Sequence, residues 1–309
     1  MGVAFAVLAS LCWGAYNLFV RRGRDEMDAG AGFLLTLLIN VAATAAFTQL
    51  PLPGAGAPLR NRVAVLFFVL AGFSTTLLGR TLYFESIFRI GPSRASAWKN
   101  ASPIYTLLGG ALFLGELLPA LTVGGVLLTL AGMVLLGREQ VASERSGALV
   151  SAGGGGGRFH IGTEGGAPRV GLFLGIASGL AFATGVLLRK AGLQGWTNPA
   201  VGSAIGAASA CLGWLPFSIS RGEIRALLRT SPRRMKYFLC AGAASSLAQL
   251  LVFLSLQVTA SAVTHAASSL EPVFTMLLSY LLFGGREHLS PGAVLAVGLM
   301  CGGVILVGL

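Results

Sequence analysis

Long apolar segments recur along the chain and are separated by short polar ones. A helix that crosses the hydrocarbon core of a bilayer needs about 20 mostly apolar residues. Segments of that length lie near residues 2–20, 30–50, 63–86, 92–114 and 118–137, and again near 169–188, 198–219, 235–257, 261–283 and 290–308. The pattern therefore predicts an all-α membrane protein with ten transmembrane helices.

One polar stretch divides these segments into two sets of five. Residues 138–168 contain an unbroken glycine run from Gly153 to Gly157, scattered charges and no hydrophobic period, which is typical of a flexible linker. The sequence thus predicts a first five-helix repeat over 1–137, a Gly-rich linker over 138–168 and a second five-helix repeat over 169–309.

The two sets also repeat each other in sequence. The segment Phe84–Ser86 precedes Pro103 by the same number of residues by which Phe253–Ser255 precedes Pro272. Because an odd number of spans reverses the direction of the chain, the second copy is expected to enter the bilayer inverted. Inverted repeats are typical of secondary transporters.

The composition agrees with a lipid environment. Apolar residues make up 54% of the chain and charged residues only 11%, whereas soluble domains carry about 25% charged residues. The net charge of +11 is explained by the excess of Lys and Arg in cytoplasmic loops of membrane proteins. No basic stretch lies beside a soluble domain, so nucleic-acid binding is not expected.

Short motifs recur in the same order in both halves. They are Gly91–Ser96, Pro103, Leu112–Glu116 and Gly132 in the first half, and Ala260–Ala262, Leu270–Phe274, Leu282–Gly284, Glu287 and Gly303 in the second. A further motif, Ser10–Gly14, lies in the first apolar segment. Together they resemble the EamA-type half of the drug/metabolite transporter (DMT) superfamily, over nearly the whole chain outside 138–168. The resemblance implies a ten-helix carrier that moves small metabolites, often amino acids, through a central cavity lined by both halves.

The distribution of positive charge and the family resemblance predict opposite orientations of the chain in the membrane. Most Lys and Arg residues fall in the loops after the odd-numbered spans, while the face with both termini carries only Arg60, Arg62, Arg189 and Lys190. The positive-inside rule puts both termini outside the cytoplasm, whereas the resemblance implies cytoplasmic termini.

Polar residues inside the apolar segments mark a candidate site, because such residues are costly in lipid and are usually functional. On span nine, Thr264, Ser268, Glu271 and Thr275 share one helical face, and the equivalent face of span four carries Ala95, Lys99, Ser102 and Thr106. The two stripes are expected to face each other. Pro103 and Pro272 are expected to kink the two helices beside these stripes.

Glu271 is predicted to lie near the middle of the membrane, with Arg80 and Lys99 nearer one face, a layout that suits a zwitterion. Alternatively, either cation reaches to the surface or pairs permanently with Glu271. His265 is expected to be solvated at the membrane interface, and Glu116 and Glu287 to cap or orient the following helices. The candidate substrate-binding residues are Trp13, Tyr16, Asn17, Asn40, Arg80, Tyr83, Lys99, Ser102, Gln249, Ser268 and Glu271.

These features predict a secondary transporter that exports amino acids or related amphipathic compounds by alternating access. Proton coupling through Glu271 is a hypothesis, since burial of a carboxyl favours its neutral form. A flippase for a lipid-linked substrate is the alternative. An intramembrane enzyme is disfavoured, because only three histidines and one deep carboxylate are available for acid–base or metal chemistry.

The partners expected are a small-molecule substrate and the lipid bilayer, without nucleic acid. No catalytic residue, metal or cofactor is predicted. The expected location is the plasma membrane, specifically a bacterial inner membrane, as a multi-pass monomer or homodimer.

Overall fold

The computed structural model describes residues 1–90, 95, 98–152, 168–283 and 290–308. Every regular element within these ranges is a helix, which confirms the predicted all-α class. The α-helices are α1 (Gly2–Gly23), α2 (Ala29–Phe47), α3 (Val63–Gly72), α4 (Arg80–Ile90), α5 (Ser102–Leu114), α6 (Ala120–Ala152), α7 (Pro168–Gly195), α8 (Pro199–Ser220), α9 (Glu223–Arg229), α10 (Pro232–Val258), α11 (Ser261–Ser268), α12 (Glu271–Phe283) and α13 (Pro291–Gly308). A π-helical segment, Phe73–Gly79, joins α3 to α4.

Among the described residues, 8 helical stretches are long and apolar enough to cross a membrane. They are α1, α2, the continuous stretch Val63–Ile90, the first part of α6, α7, α8, α10 and α13. The other two predicted spans, four and nine, are interrupted. The count of ten therefore stays a prediction in which these two spans cross as broken helices.

The breaks correct the expectation of two kinked but continuous helices. A turn at Asn100 and Ala101 precedes α5, and a turn at Ser269 and Leu270 separates α11 from α12. Pro103 is the second residue of α5, and Pro272 is the second residue of α12. A proline in the first turn of a helix costs little, because its missing N–H has no intrahelical partner there. Each proline therefore helps a second half-helix to begin.

Helix α6 extends beyond the apolar part of span five and reaches Ala152. Residues 138–146 (REQVASERS) lack glycine and proline and include several strong helix formers, so the first part of the predicted linker continues the helix. Residues 153–167, with the run Gly153–Gly157, lie outside the described part of the chain. The boundaries of the two repeats stay a prediction.

Helices of one half pack against helices of the other. In the first half α1 packs against α10 and α12, and in the second half α7 packs against α3, α4 and α5. The last described helices of the halves, α6 and α13, pack against each other. The matching partners of α1 and α7 fit a two-repeat architecture and bring span four of one half and span nine of the other to the same central region.

Candidate functional site

A cavity of about 380 Å³ lies between the halves at the broken helices. All the predicted binding residues except Asn40 line it: Trp13, Tyr16, Asn17, Arg80, Tyr83, Lys99 and Ser102 from the first half, and Gln249, Ser268 and Glu271 from the second. The structure thus brings together side chains that are widely separated in sequence. Their role in binding a substrate stays a prediction.

Asn40 lies away from this cavity. Its side chain is buried between α2 and α10, and its Nδ2 donates a hydrogen bond to Ser245 Oγ at 2.6 Å. The predicted contact of Asn40 with substrate is therefore corrected to a contact between two helices.

Glu271 is the first residue of α12, where the positive end of the helix dipole favours a carboxylate. Asn17 Nδ2 donates to Glu271 Oε1 at 2.7 Å and lies 3.3 Å from Thr275 Oγ1. Gly14, one turn earlier on α1, permits this approach, because a Cβ there would lie 2.9 Å from Phe274 Cβ. The Glu271 carboxylate is thus held by a hydrogen bond from the Asn17 side-chain amide.

The two cations predicted near Glu271 contact aromatic rings. Lys99 Nζ lies 5.5 Å from the centre of the Tyr83 ring and 5.4 Å from that of Phe182. The Arg80 guanidinium lies 4.2 Å from the centre of the Phe33 ring. Within the described ranges, neither cation has a carboxylate within 4.0 Å. The structure therefore does not contain the permanent ion pair with Glu271 that was one alternative.

Arg189 is a third cation at the cavity, and sequence reasoning had assigned it to a loop. Helix α7 continues to Gly195, so Arg189 lies within the helix. Its guanidinium donates to Thr75 Oγ1 at 3.4 Å and lies 5.5 Å from the centre of the Phe253 ring. The loop assignment followed from ending span six at residue 188, since helix ends are poorly marked in sequence.

His265 also lines the cavity, in contrast to the expected solvated position. Its Nδ1 lies 2.6 Å from Thr106 Oγ1 and its Nε2 lies 3.2 Å from Ser102 Oγ. Each hydroxyl can donate to one ring nitrogen or accept from it, so either tautomer of the imidazole fits these two contacts. Both ring nitrogens of a neutral imidazole are thereby satisfied. These contacts place the stripe of span four against span nine.

The π-helical segment forms another part of the wall. Thr75 and Thr76 line the cavity. Besides the contact between Arg189 and Thr75, the segment is held to α7 by hydrogen bonds from Ser74 Oγ to the Ala181 carbonyl and from Ser178 Oγ to the Gly79 carbonyl, each 2.8 Å long. Such segments are rare and frequent at functional sites. Sequence periodicity contained no signal for it.

Contacts between the two halves also lie near the membrane face that carries the termini. Glu116 accepts hydrogen bonds from the Ser261 N–H at 2.9 Å and from Ser261 Oγ at 2.5 Å. Lys190 Nζ lies 3.9 Å from the Glu116 carboxylate and donates to the carbonyls of Leu256 and Thr259 at 2.7 and 2.8 Å. Glu116 thus caps α11 of the other half, whereas the sequence indicated the following helix. Glu287 lies outside the described residues.

A polytopic helical protein with a polar cavity between two halves has the architecture that membrane transporters share. A sequence model of the EamA-like transporter family matches residues 1–138 and again residues 169–309. The chain therefore belongs to this family, which confirms the resemblance carried by its motifs.

Two bacterial relatives match about half of the chain each. One is the uncharacterized transporter YcbK of Bacillus subtilis (strain 168), 34% identical over 145 residues, which cover 43% of this chain and 45% of that protein. Another is the uncharacterized protein PA1977 of Pseudomonas aeruginosa, 29% identical over 137 residues, which cover 44% of this chain and 45% of that protein. The chain aligns with less than half the length of each relative.

A solved crystal structure shares the fold. It is 17% identical in sequence and superposes with a TM-score of 0.72, over 99% of this chain and 96% of that chain. Together with the family and the 8 membrane-length helices in the described ranges, this describes a multi-pass membrane protein of the EamA-like transporter family. The predicted location in a bacterial inner membrane agrees with this description.

Proposed function

We propose that the protein is a secondary carrier that moves a small amphipathic metabolite through the cavity by alternating access. The observation that carries the proposal is the cavity itself, which both halves line at the breaks of spans four and nine. A cavity in this size range is typical of small-molecule sites. Broken helices expose backbone polar groups to a ligand and are used in this way by other transporters.

The contacts at the face with the termini support alternating access. Trp196 Nε1 donates to the Ala57 carbonyl at 2.8 Å, and the backbone N–H groups of Arg60 and Asn61 both lie 3.2 Å from the Gly195 carbonyl. With the Glu116–Ser261 contact, these bonds join the halves on one side of the cavity. Opening the cavity to that side requires them to break, while a second arrangement of the halves closes the other side.

The wall composition supports an amphipathic substrate. Trp13 and Tyr16 lie edge to face with ring centres 5.5 Å apart, beside the polar groups of Asn17 and Glu271. The rings offer an apolar surface and the polar groups offer hydrogen bonds. Amino acids or related compounds have both kinds of group, and we propose their export as the physiological direction.

The proposal is tested by flux into proteoliposomes that contain the purified protein. Radiolabelled amino acids and organic acids are supplied, and two tryptophan substitutions are compared. Ser268→Trp fills the cavity, whereas Leu212→Trp changes a side chain that is 66% exposed on α8. We expect flux through Ser268→Trp to fall to the level of empty vesicles and flux through Leu212→Trp to persist. Equal flux through both variants would contradict transport through this cavity.

A further inference from the structure

The cavity holds more positive than negative charge. Arg80, Lys99 and Arg189 all line it, whereas Glu271 is the one acidic side chain among its described lining residues. The wall therefore carries an excess of two positive charges.

Nothing in the described part of the chain neutralises the three cations. The ion pairs within 4.0 Å there are those of Arg89, Lys190 and Lys236 with Glu85, Glu116 and Glu26. Arg80 and Lys99 rest on aromatic rings, and Arg189 has a long bond to a threonine hydroxyl. These contacts leave most guanidinium and ammonium N–H groups available to a ligand.

Unpaired cations at membrane depth are costly and mark ion or substrate pathways. All three line the same cavity. Glu271, held by Asn17 at 2.7 Å, does not satisfy them. A negative charge on the molecule that occupies the cavity would balance this excess of positive charge.

We propose that the transported substrate is an organic oxyanion with up to two negative charges and an apolar or aromatic portion. This inference rests on the proposed carrier function and narrows its substrate class. The fork of N–H groups in Arg80 and Arg189 matches the oxygens of a carboxylate or a phosphate. Lys99 adds a point charge beside the rings of Tyr83 and Phe182, and Trp13 and Tyr16 accept the apolar portion.

Binding to the purified protein tests the sign of the substrate charge. The probes are benzoate, phthalate and phenyl phosphate, with benzamide as the neutral analogue and benzylamine as the cationic one. Dissociation constants are measured by calorimetry, and thermal shifts serve as a second readout. We expect the anions to bind, the dianions about tenfold more tightly than benzoate, and benzamide and benzylamine to bind more weakly than any anion. Phthalate and phenyl phosphate separate a preference for carboxylate from one for phosphate.

Three variants locate the effect in the cavity. Arg189→Gln and Lys99→Gln are each expected to weaken phthalate binding on the order of tenfold, the typical effect of losing one charged hydrogen bond, and to leave benzamide binding unchanged. Arg229→Gln changes an exposed arginine on α9 and is expected to have no effect. Gel filtration confirms that each variant remains folded.

The outcomes separate the two proposals. Tighter binding of benzylamine than of the anions, no binding of any anion, or unchanged phthalate binding by both cavity variants would overturn the anion site. Flux of neutral or cationic compounds in those cases would leave the carrier function standing. Anion binding without flux of any compound into proteoliposomes would instead sustain the site and overturn the carrier.

Discussion

Glu271 and its amide partner are the residues on which coupling would depend. The Asn17 side chain holds the carboxylate at 2.7 Å, and no lysine or arginine within the described ranges lies within 4.0 Å of it. The hypothesis of proton coupling through Glu271 therefore concerns a carboxyl that contacts an amide and no described cation.

Glu271→Gln tests this role. Glutamine keeps the shape of the side chain, and its amide oxygen can still accept a hydrogen bond from Asn17. It cannot exchange a proton. We expect substrate binding to persist, while a pH gradient no longer accelerates flux into proteoliposomes. Glu26→Gln, which alters the partly exposed pair with Lys236 at 3.4 Å, should keep the wild-type response. Unchanged acceleration in Glu271→Gln would remove the residue from coupling.

Sequence reasoning identified some cavity residues more readily than others. The helical spacing on span nine and the matching positions on span four pointed to Ser268, Glu271, Lys99 and Ser102, all of which line the cavity. Arg189 was missed because its place depends on where α7 ends, and His265 because its partners lie on another helix. Asn40 was wrongly assigned to the cavity, since a polar residue in an apolar segment can equally form a hydrogen bond to a neighbouring helix.

At the scale of elements, the approach of α1 to α12 depends on Gly14. A Cβ at this position would lie 2.9 Å from both Phe274 Cβ and Thr275 N, so the helices have to move apart. We expect Gly14→Ala to destabilise the protein by about 1–3 kcal/mol and to lengthen the contact between Asn17 and Glu271.

Thermal unfolding in detergent measures this effect against a matched control. Gly124→Ala makes the same change within α6, where an added Cβ has no neighbour within 4 Å, so it should not lower the unfolding temperature. Equal unfolding temperatures for the two variants would contradict the close approach.

Glu116 joins elements from opposite halves, and its removal should favour opening of that face. Glu116→Gln weakens the cap on α11 and the attraction to Lys190 at 3.9 Å. In a background without the native cysteines, a cysteine at Ser102 reports access to the cavity. We expect it to react faster with a thiol reagent from the side of the termini. Glu85→Gln, which breaks the exposed pair with Arg89 at 2.7 Å, is the control. A lower rate in Glu116→Gln than in this control would contradict the assignment.

The breaks in spans four and nine show which features of a helix could not be predicted from the sequence. Hydropathy identified both apolar segments, and Pro103 and Pro272 marked the place where each departs from a regular helix. Whether a proline kinks a helix or lies in the first turn of a new one depends on which neighbours satisfy the freed backbone groups. That information lies in the packing against other helices.

At the scale of the whole molecule, the structure increases the difference in loop positive charge between the two membrane faces. Arg189 lines the cavity and Lys190 contacts Glu116, so Arg60 and Arg62 remain as the loop cations on the face with the termini. We expect that face to be periplasmic. In a background without the native cysteines, a cysteine at Arg60 should then react with an impermeant reagent in intact cells, and one at Arg229 only after permeabilisation. The reverse result would establish the cytoplasmic termini that the family resemblance implies.

The π-helical segment Phe73–Gly79 has a consequence for changes in chain length. A π-helical bulge contains one residue more than the α-helix it interrupts, while the flanking turns keep their direction. Deletion of Leu78, a side chain that is 53% exposed, should therefore restore a regular helix and leave Arg80 and Tyr83 facing the cavity.

The same deletion in a regular helix acts differently. Removal of Leu247 from α10 rotates Gln249 by about 100° relative to the residues before the deletion. Phthalate binding should survive the first deletion and be lost in the second, and equal loss in both would contradict this expectation. Related chains would then be free to gain or lose one residue at Phe73–Gly79 without changing the charges that a substrate meets.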